Sequence, residues 1–283
     1  MGTAVNDKYF TKPSTVDLCL SKVNLSNYDL IFEPSAGCGS FLHKLPKGKS
    51  SGADISPDIP NVVQLDFYSI QKVIDLLDLQ TNGEKKYLSI GNPPFGYMAQ
   101  MAIDFFNGCA LFSDSIAFIL PRTFRKISVT NRLAMNFHLR QELLLPKDSF
   151  MVMDPSSPTL TSEYDVPCTF QIWDKSDVLR EKIQPKTESR HLEFVKDISK
   201  SKYAFRRVGA DAGDLYDVKS SNRSMSAPSH YYLNCSDDIA SIIDSIEWDY
   251  ESAKYDTAGN PSISKNELIC KLESILEEGK CNT

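Results

Sequence analysis

A short apolar run that ends in glycine and then meets two prolines leaves a chain few ways to continue. Tyr87-Leu88-Ser89-Ile90 reads as a buried strand, Gly91 lets the backbone turn sharply, and Asn92-Pro93-Pro94-Phe95 follow. Adjacent prolines fix their own φ and push the preceding residue out of helical conformation, so the strand ends in a rigid loop. That loop holds one amide side chain and one aromatic ring in place. In an open α/β sheet the C-terminal strand ends are where ligands bind. An amide oxygen and a proline carbonyl both accept hydrogen bonds from an exocyclic amino group, and a ring stacks on a planar base. Such a site suits a neutral aromatic amine. Read for structure alone, the same residues are a proline turn closing a strand.

Other segments fall in a meaningful order around this loop. Asp29-Leu30-Ile31-Phe32 reads as a short strand running into Glu33-Pro34-Ser35-Ala36-Gly37-Cys38-Gly39-Ser40-Phe41, where glycines permit tight turning. Ser40 is the expected N-cap of a helix through Leu42 and Leu45. Gly52 to Ile55 reads as a second strand with Asp54 at its tip, and Val62 to Leu65 as a third, followed by Asp66 and Phe67. Each aspartate alone also suits a solvated turn or a helix cap. Upstream, Lys8 to Thr15 precedes an apolar stretch from Val16 to Leu20, and Thr11 and Pro13 suit a helix start. Asp114 to Pro121 and Asp165 to Trp173 read as later strands.

The tetrad resembles the catalytic motif (Asn/Asp/Ser)-Pro-Pro-(Tyr/Phe/Trp) of amino-methyltransferases that use S-adenosylmethionine. The Glu-Pro-x-x-Gly-x-Gly-x-Phe string from Glu33 to Phe41 resembles their cofactor loop more than the Gly-x-Gly-x-x-Gly of dehydrogenases. The order of the pieces resembles the gamma arrangement of adenine amino-methyltransferases, over roughly residues 8 to 175. The resemblance implies an α/β fold: a Rossmann-like class I methyltransferase sheet over residues 1–184, with a small α+β/helical appendage over 185–283. It also implies a cofactor site. Phe10, Thr11 and Pro13 would close over the methionine end, and Glu33, Ser35, Gly37 and Gly39 would surround it. Backbone N–H groups at the helix start would face the methionine carboxylate. Asp54 would take the ribose hydroxyls, Asp66 would accept from the adenine amino group, and Ile55 or Phe67 would pack on the adenine face. Asn92, Pro93, Pro94 and Phe95 would be catalytic, Asn92 also touching the cofactor and Phe95 stacking the target base.

Net charge is −6, which by itself disfavours a nucleic-acid partner. Its distribution does not. Between Pro121 and Lys147 lie Arg122, Arg125, Lys126, Arg132, Arg140 and Lys147 against one acid, Glu142, whereas residues 237–283 hold four basic and eleven acidic residues. An acidic tail thus masks a basic middle. Arg122, Arg125 and Lys126 are the expected phosphate contacts; alternatively these charges decorate the solvated face of a helix carrying Ile127, Leu133 and Phe137. Lys200, Lys202, Arg206 and Arg207 form a second acid-free run, with Tyr203, Phe205, Arg206 and Arg207 as candidate substrate contacts or Tyr203 and Phe205 as core aromatics. Two amphipathic helices follow. Ser236 caps the first, with Ile239, Ile242, Ile243 and Ile246 on one face. Ser264 and Glu267 have capping-box spacing for the second, which Gly279 is expected to stop.

No run approaches the ~18 apolar residues of a membrane helix, and the first ten residues are too polar for a signal peptide. Seven cysteines without a Cys-x-x-Cys pair argue for reduced thiols and against zinc, and the four histidines show no ligand spacing. The expectation is an intracellular enzyme, cytoplasmic or associated with the nucleoid or nucleus, without a metal. By resemblance it methylates the exocyclic N6 amine of adenine in nucleic acid, DNA before RNA. Three alternatives stay open. They are the same chemistry on structured RNA, methylation of a protein glutamine side chain, and a non-catalytic subunit that supports a partner. Oligomeric state is not legible.

Overall fold

A computed structural model describes residues 9–77, 85–153, 160–164, 167–257 and 259–281. Lys8, Asp165 and Val166, expected at two element starts, lie outside the described residues. The chain divides into two compact units, Met1–Pro121 with Ser128–Lys182, and Arg122–Ile127 with Ile183–Thr283. The second unit therefore takes in six residues from the middle of the first, which a single boundary near residue 184 does not contain.

The first unit contains β1 (Tyr9–Thr11), α1 (Pro13–Leu20), β2 (Leu30–Glu33), β3 (Ser50–Asp54), β4 (Val63–Gln64), α2 (Ile70–Leu76) and β5 (Tyr87–Gly91). It continues with α3 (Gln100–Cys109) and β6 (Ser115–Pro121), and after a helical turn, α4 (Ile127–Thr130), with β7 (Phe137–Leu144), β8 (Phe150–Met153), β9 (Leu160–Tyr164) and β10 (Cys168–Lys175). Seven strands form one sheet in the order β4-β3-β2-β5-β6-β10-β7. β2 to β6 pair in parallel, and β10 is antiparallel to both β6 and β7. Counted by its own strands the sheet runs 3-2-1-4-5-7-6 with the seventh reversed. This is the Rossmann-like sheet of methyltransferase type. Strand order turns back between β2 and β5, and in open α/β sheets that switch point is where ligands bind.

Burial on both faces explains why the central strands read as unbroken apolar runs: all seven residues of β6 are buried. Val16 and Cys19 of α1 join Ile31, Leu88, Ile90, Ala117, Ile119, Phe170 and Ile172 in one core. Elsewhere in the unit, Phe106 of α3 meets Phe137 and Trp173 edge to face, with ring centroids 5.9 and 5.5 Å apart. A smaller sheet, β1-β8-β9, ties the N-terminal segment down, with Thr11 opposite Phe150.

Two expectations fail here for local reasons. Ser40 starts no α-helix; the chain makes only a 3-10 turn at Leu42–Lys44. Pro46 disfavours a helical Leu45 and so stops the turn; the Leu42 N–H, free at a helix start in any case, donates to Glu33 Oε2 at 2.8 Å. The alternative reading of Pro121 to Lys147 as the solvated face of one helix does not hold either. The stretch is a 3-10 turn at Arg122–Arg125, α4, and then β7, the sheet's edge strand, where exposed Arg140 suits an unpaired edge.

The second unit holds β11 (Glu193–Val195), β12 (Tyr203–Arg206), β13 (Leu215–Asp217), β14 (His230–Asn234), α5 (Asp237–Asp244) and α6 (Lys265–Cys281). Its strands form an antiparallel sheet in the order β11-β14-β12-β13. Ala240 and Ile243 of α5, and Leu268 and Leu272 of α6, pack with Tyr203, Phe205 and Leu233. Both caps form as the sequence spacing demands. Ser236 accepts from the Ile239 N–H, and at α6 the Ser264 N–H donates to Glu267 while the Glu267 N–H donates back to Ser264 Oγ. Helix α6 runs past Gly279 to Cys281. Among the described residues no helix is long and apolar enough to cross a membrane.

Candidate active site

The loops after β2 and β5 flank the switch point, and they carry the two motifs. Gly91 ends β5 at φ +147, and a β-carbon there would lie 3.1 Å from Glu33 Cγ. Glycine is thus required twice, for backbone conformation and for room beside Glu33. The turn it permits places Asn92, whose Nδ2 donates to Thr11 Oγ1 at 3.3 Å, so the N-terminal segment reaches the tetrad. Asn92 Oδ1 is buried and has no hydrogen-bond partner. A buried amide oxygen without a donor costs about 1–3 kcal/mol. Pro93 is buried. Phe95 is half-buried against the core that contains Ile90 and Phe150.

The glycine loop is braced from below. Glu33 is 2% exposed, and besides Leu42 the backbone N–H of Phe41 also donates to it. Burial pushes its carboxyl well above the usual carboxylate range, the two N–H donors pull it back, and the neighbouring Asp54 pushes it up again. With so little surface Glu33 has almost nothing to offer a ligand; its position is that of a brace. Asp54, at the tip of β3, accepts from the N–H groups of Gly37 and Ser56 at 2.8 Å each and from Ser35 Oγ at 3.4 Å. One carboxylate thus sets the shape of the loop in which Ser35, Gly37 and Gly39 lie, and Gly39 (φ +76) leaves no room for a side chain beside Ile59.

A cavity of about 440 Å³ opens beside this loop, lined among others by Phe10, Thr11, Pro13, Cys38, Ser40 and Asp58. Its size falls within the usual range for small-molecule sites, about 300–1,000 Å³. Asp58 was not among the sequence candidates. Its only sequence signal was the Ser-Pro-Asp turn after β3, and nothing in one sequence distinguishes that turn from any solvated loop. Ile55 is 65% exposed at the strand tip, an uncovered apolar surface. Asp66 is exposed and caps a turn by accepting from the Tyr68 N–H. Phe67 departs from expectation: it stacks on Phe105 at 4.2 Å and is buried, so Ile55 is the member of the pair with a free face.

The basic cluster is also placed otherwise than expected. Arg122 is 1% exposed; its Nε donates to Asp256 Oδ1 at 2.9 Å, and its Nη atoms donate to the Tyr250 and Ser252 carbonyls. Arg125 shares Asp256 Oδ1 at 2.8 Å, and Lys126 pairs with Glu267 at 2.6 Å. The acidic tail thus neutralises these cations within the second unit, and Arg122 has no surface to present to a phosphate. Arg206 and Arg207 are different. The Nε of each is buried without a hydrogen-bond partner, and the Arg207 guanidinium lies 4.8 Å over the Tyr231 ring. Tyr203 and Phe205 are buried core aromatics rather than substrate contacts.

No protein-family model matches the sequence, and no curated protein matches it. Among solved structures the chain is similar to a protein described as the modification subunit of a type I restriction enzyme, from Vibrio vulnificus YJ016. The two share 14% identity at a TM-score of 0.42, over 62% of this chain and 46% of that one. It is also similar to a protein described as a methyltransferase from Thermoplasma acidophilum, with 15% identity, a TM-score of 0.30, and 55% and 72% coverage. The chain spans about half the length of the first of these.

Proposed function

We propose that this chain is an S-adenosylmethionine-dependent methyltransferase that modifies the exocyclic N6 amine of adenine in DNA. The observation that carries the reading is the buried, unpartnered Oδ1 of Asn92 at the switch point of the sheet. The donor set fits the cofactor. The cavity offers apolar Phe10, Pro13 and Met151 together with polar Thr11, Ser40, Lys44 and Asp58, which suits the charged methionine end of the cofactor with its short methylene chain. Thr11, Pro13 and the loop around Gly37 and Gly39 would hold the methionine part, with Asp54, Asp66 and Ile55 toward the nucleoside. When bound, the cofactor supplies an electrophilic methyl group.

The protein's part is to make a poor nucleophile react. An exocyclic amine delocalises its lone pair into the ring. Asn92 Oδ1 and the Pro93 carbonyl would accept its two hydrogens, favouring a localised lone pair and stabilising charge as it develops on nitrogen. Thr11 fixes the amide through Nδ2, leaving Oδ1 for the substrate. Phe95, fixed along one side by the core, would stack the base. In duplex DNA the base must leave the stack first, at a cost of a few kcal/mol. Buried Cys19 and Cys109, both pushed up to about 12 by burial, are unsuited to act as thiolates, and the route needs no covalent intermediate.

A second reading, methylation of a protein glutamine amide, is favoured by one observation: internal pairing of Arg122, Arg125 and Lys126 removes the longest candidate phosphate track. Arg206 and Arg207 then carry the nucleic-acid side of the proposal. Labelled methyl transfer to duplex DNA, single-stranded DNA, transfer RNA, ribosomal RNA and protein, side by side, decides between the readings. Alkali-stable label on adenine of DNA is the expected result.

A further inference from the structure

Immediately after the tetrad the chain does something costly. Met98 and Ala99 both sit in the left-handed region, at φ 51 and φ 60, a conformation unfavourable for residues that carry a β-carbon. The ends of this loop are fixed. Phe95 packs on the core, Ala99 is 5% exposed, and the Phe95 carbonyl accepts from the Ala102 N–H. Its apex is not. Tyr97 is 87% exposed and Met98 70%, and Tyr97 is the most exposed large apolar side chain among the described residues. An aromatic ring thus stands in water beside a strained turn, two residues from the ring assigned to the target base.

Resting on the adenine reading above, we propose that the Gly96–Ala99 loop is a wedge for duplex DNA. Tyr97 enters the base stack at the position that the target adenine vacates, with Met98 against the neighbouring base. Extruding a base leaves a gap whose lost stacking an inserted side chain restores, and proteins that distort duplexes use apolar side chains in this way. A single strand leaves no such gap. The duplex should therefore need Tyr97 far more than the single strand does.

The test compares wild type, Tyr97→Ala and Tyr97→Trp in labelled methyl transfer to genomic duplex DNA and to the same DNA heat-denatured. Base–aromatic stacking is strong enough for a loss of about tenfold or more on duplex with Tyr97→Ala. The loss on single strands should stay under about threefold, and Tyr97→Trp should keep most of the duplex rate. Equal losses on both substrates would make the loop a general support of the site and overturn the wedge. No loss on either would overturn it too, and would point to a protein contact for Tyr97. If wild type methylates neither form, the adenine reading falls and the wedge with it.

Discussion

Removing Asp256 should unfold the second unit far more readily than losing a surface carboxylate would. Asp256 and Arg122 have side chains 4% and 1% exposed, joined at 2.9 Å, and Arg125 reaches the same oxygen at 2.8 Å. At that separation and an effective dielectric constant near 20, one such pair attracts by about 6 kcal/mol. Desolvating the two ions cancels much of this, so the intact pair adds little net stability. Breaking it is another matter, because a guanidinium is left buried and uncompensated. Asp256→Ala should cost about 3–5 kcal/mol. Arg122→Met with Asp256→Leu should cost far less, since no unpaired charge remains. Trp248 lies in this unit and Trp173 in the other, so urea unfolding followed by Trp248 emission in a Trp173→Phe background reports on the right unit. A cost below about 1 kcal/mol, the value typical of exposed pairs, would refute the buried-pair account and return Arg122 to the candidate phosphate contacts.

Two further outcomes follow from the same geometry. The folded state holds the Glu33 proton more tightly than the unfolded chain does, because burial raises its carboxyl. Stability from this group is therefore complete at low pH and declines as pH climbs from about 4.3, the unfolded value, through the raised one. Glu33→Gln keeps an acceptor for the Leu42 N–H but does not titrate, so urea unfolding across that window should show a flatter pH dependence than wild type. Replacing Arg206 and Arg207 together by Ala should weaken DNA binding and flatten its salt slope by up to about two units, measured by fluorescence anisotropy. Arg122→Met with Asp256→Leu, which leaves no unpaired buried charge at that pair, should keep the slope nearly unchanged.

The central sheet was legible because a strand buried on both faces writes itself as an unbroken apolar run. β2, β5 and β6 do so, and Pro93 and Gly91 mark where one of them stops. The capping box at Ser264 and Glu267 was legible for a similar reason: its chemistry is local. What the sequence hid was non-local. Glu33 looks like a ligand until it is found beneath the loop, accepting the N–H groups of Phe41 and Leu42. Phe67 looks like a nucleoside contact until Phe105, which comes from α3, is stacked on it. Arg122, Arg125 and Lys126 form a basic run in sequence but lose that character once Asp256 and Glu267 arrive from more than a hundred residues away. A charge run shows where cations are, not whether carboxylates already hold them.

The central claim is that Asn92 Oδ1 is an acceptor kept for a substrate amine. Its most direct test is methyl transfer to duplex DNA by wild type and Asn92→Ala, with S-adenosylmethionine affinity measured by calorimetry on the same two proteins. The account predicts label on adenine with wild type, a loss of about a hundredfold or more with Asn92→Ala, as expected when a transition-state acceptor is removed, and cofactor affinity changed only slightly. Near-normal turnover by Asn92→Ala would contradict it.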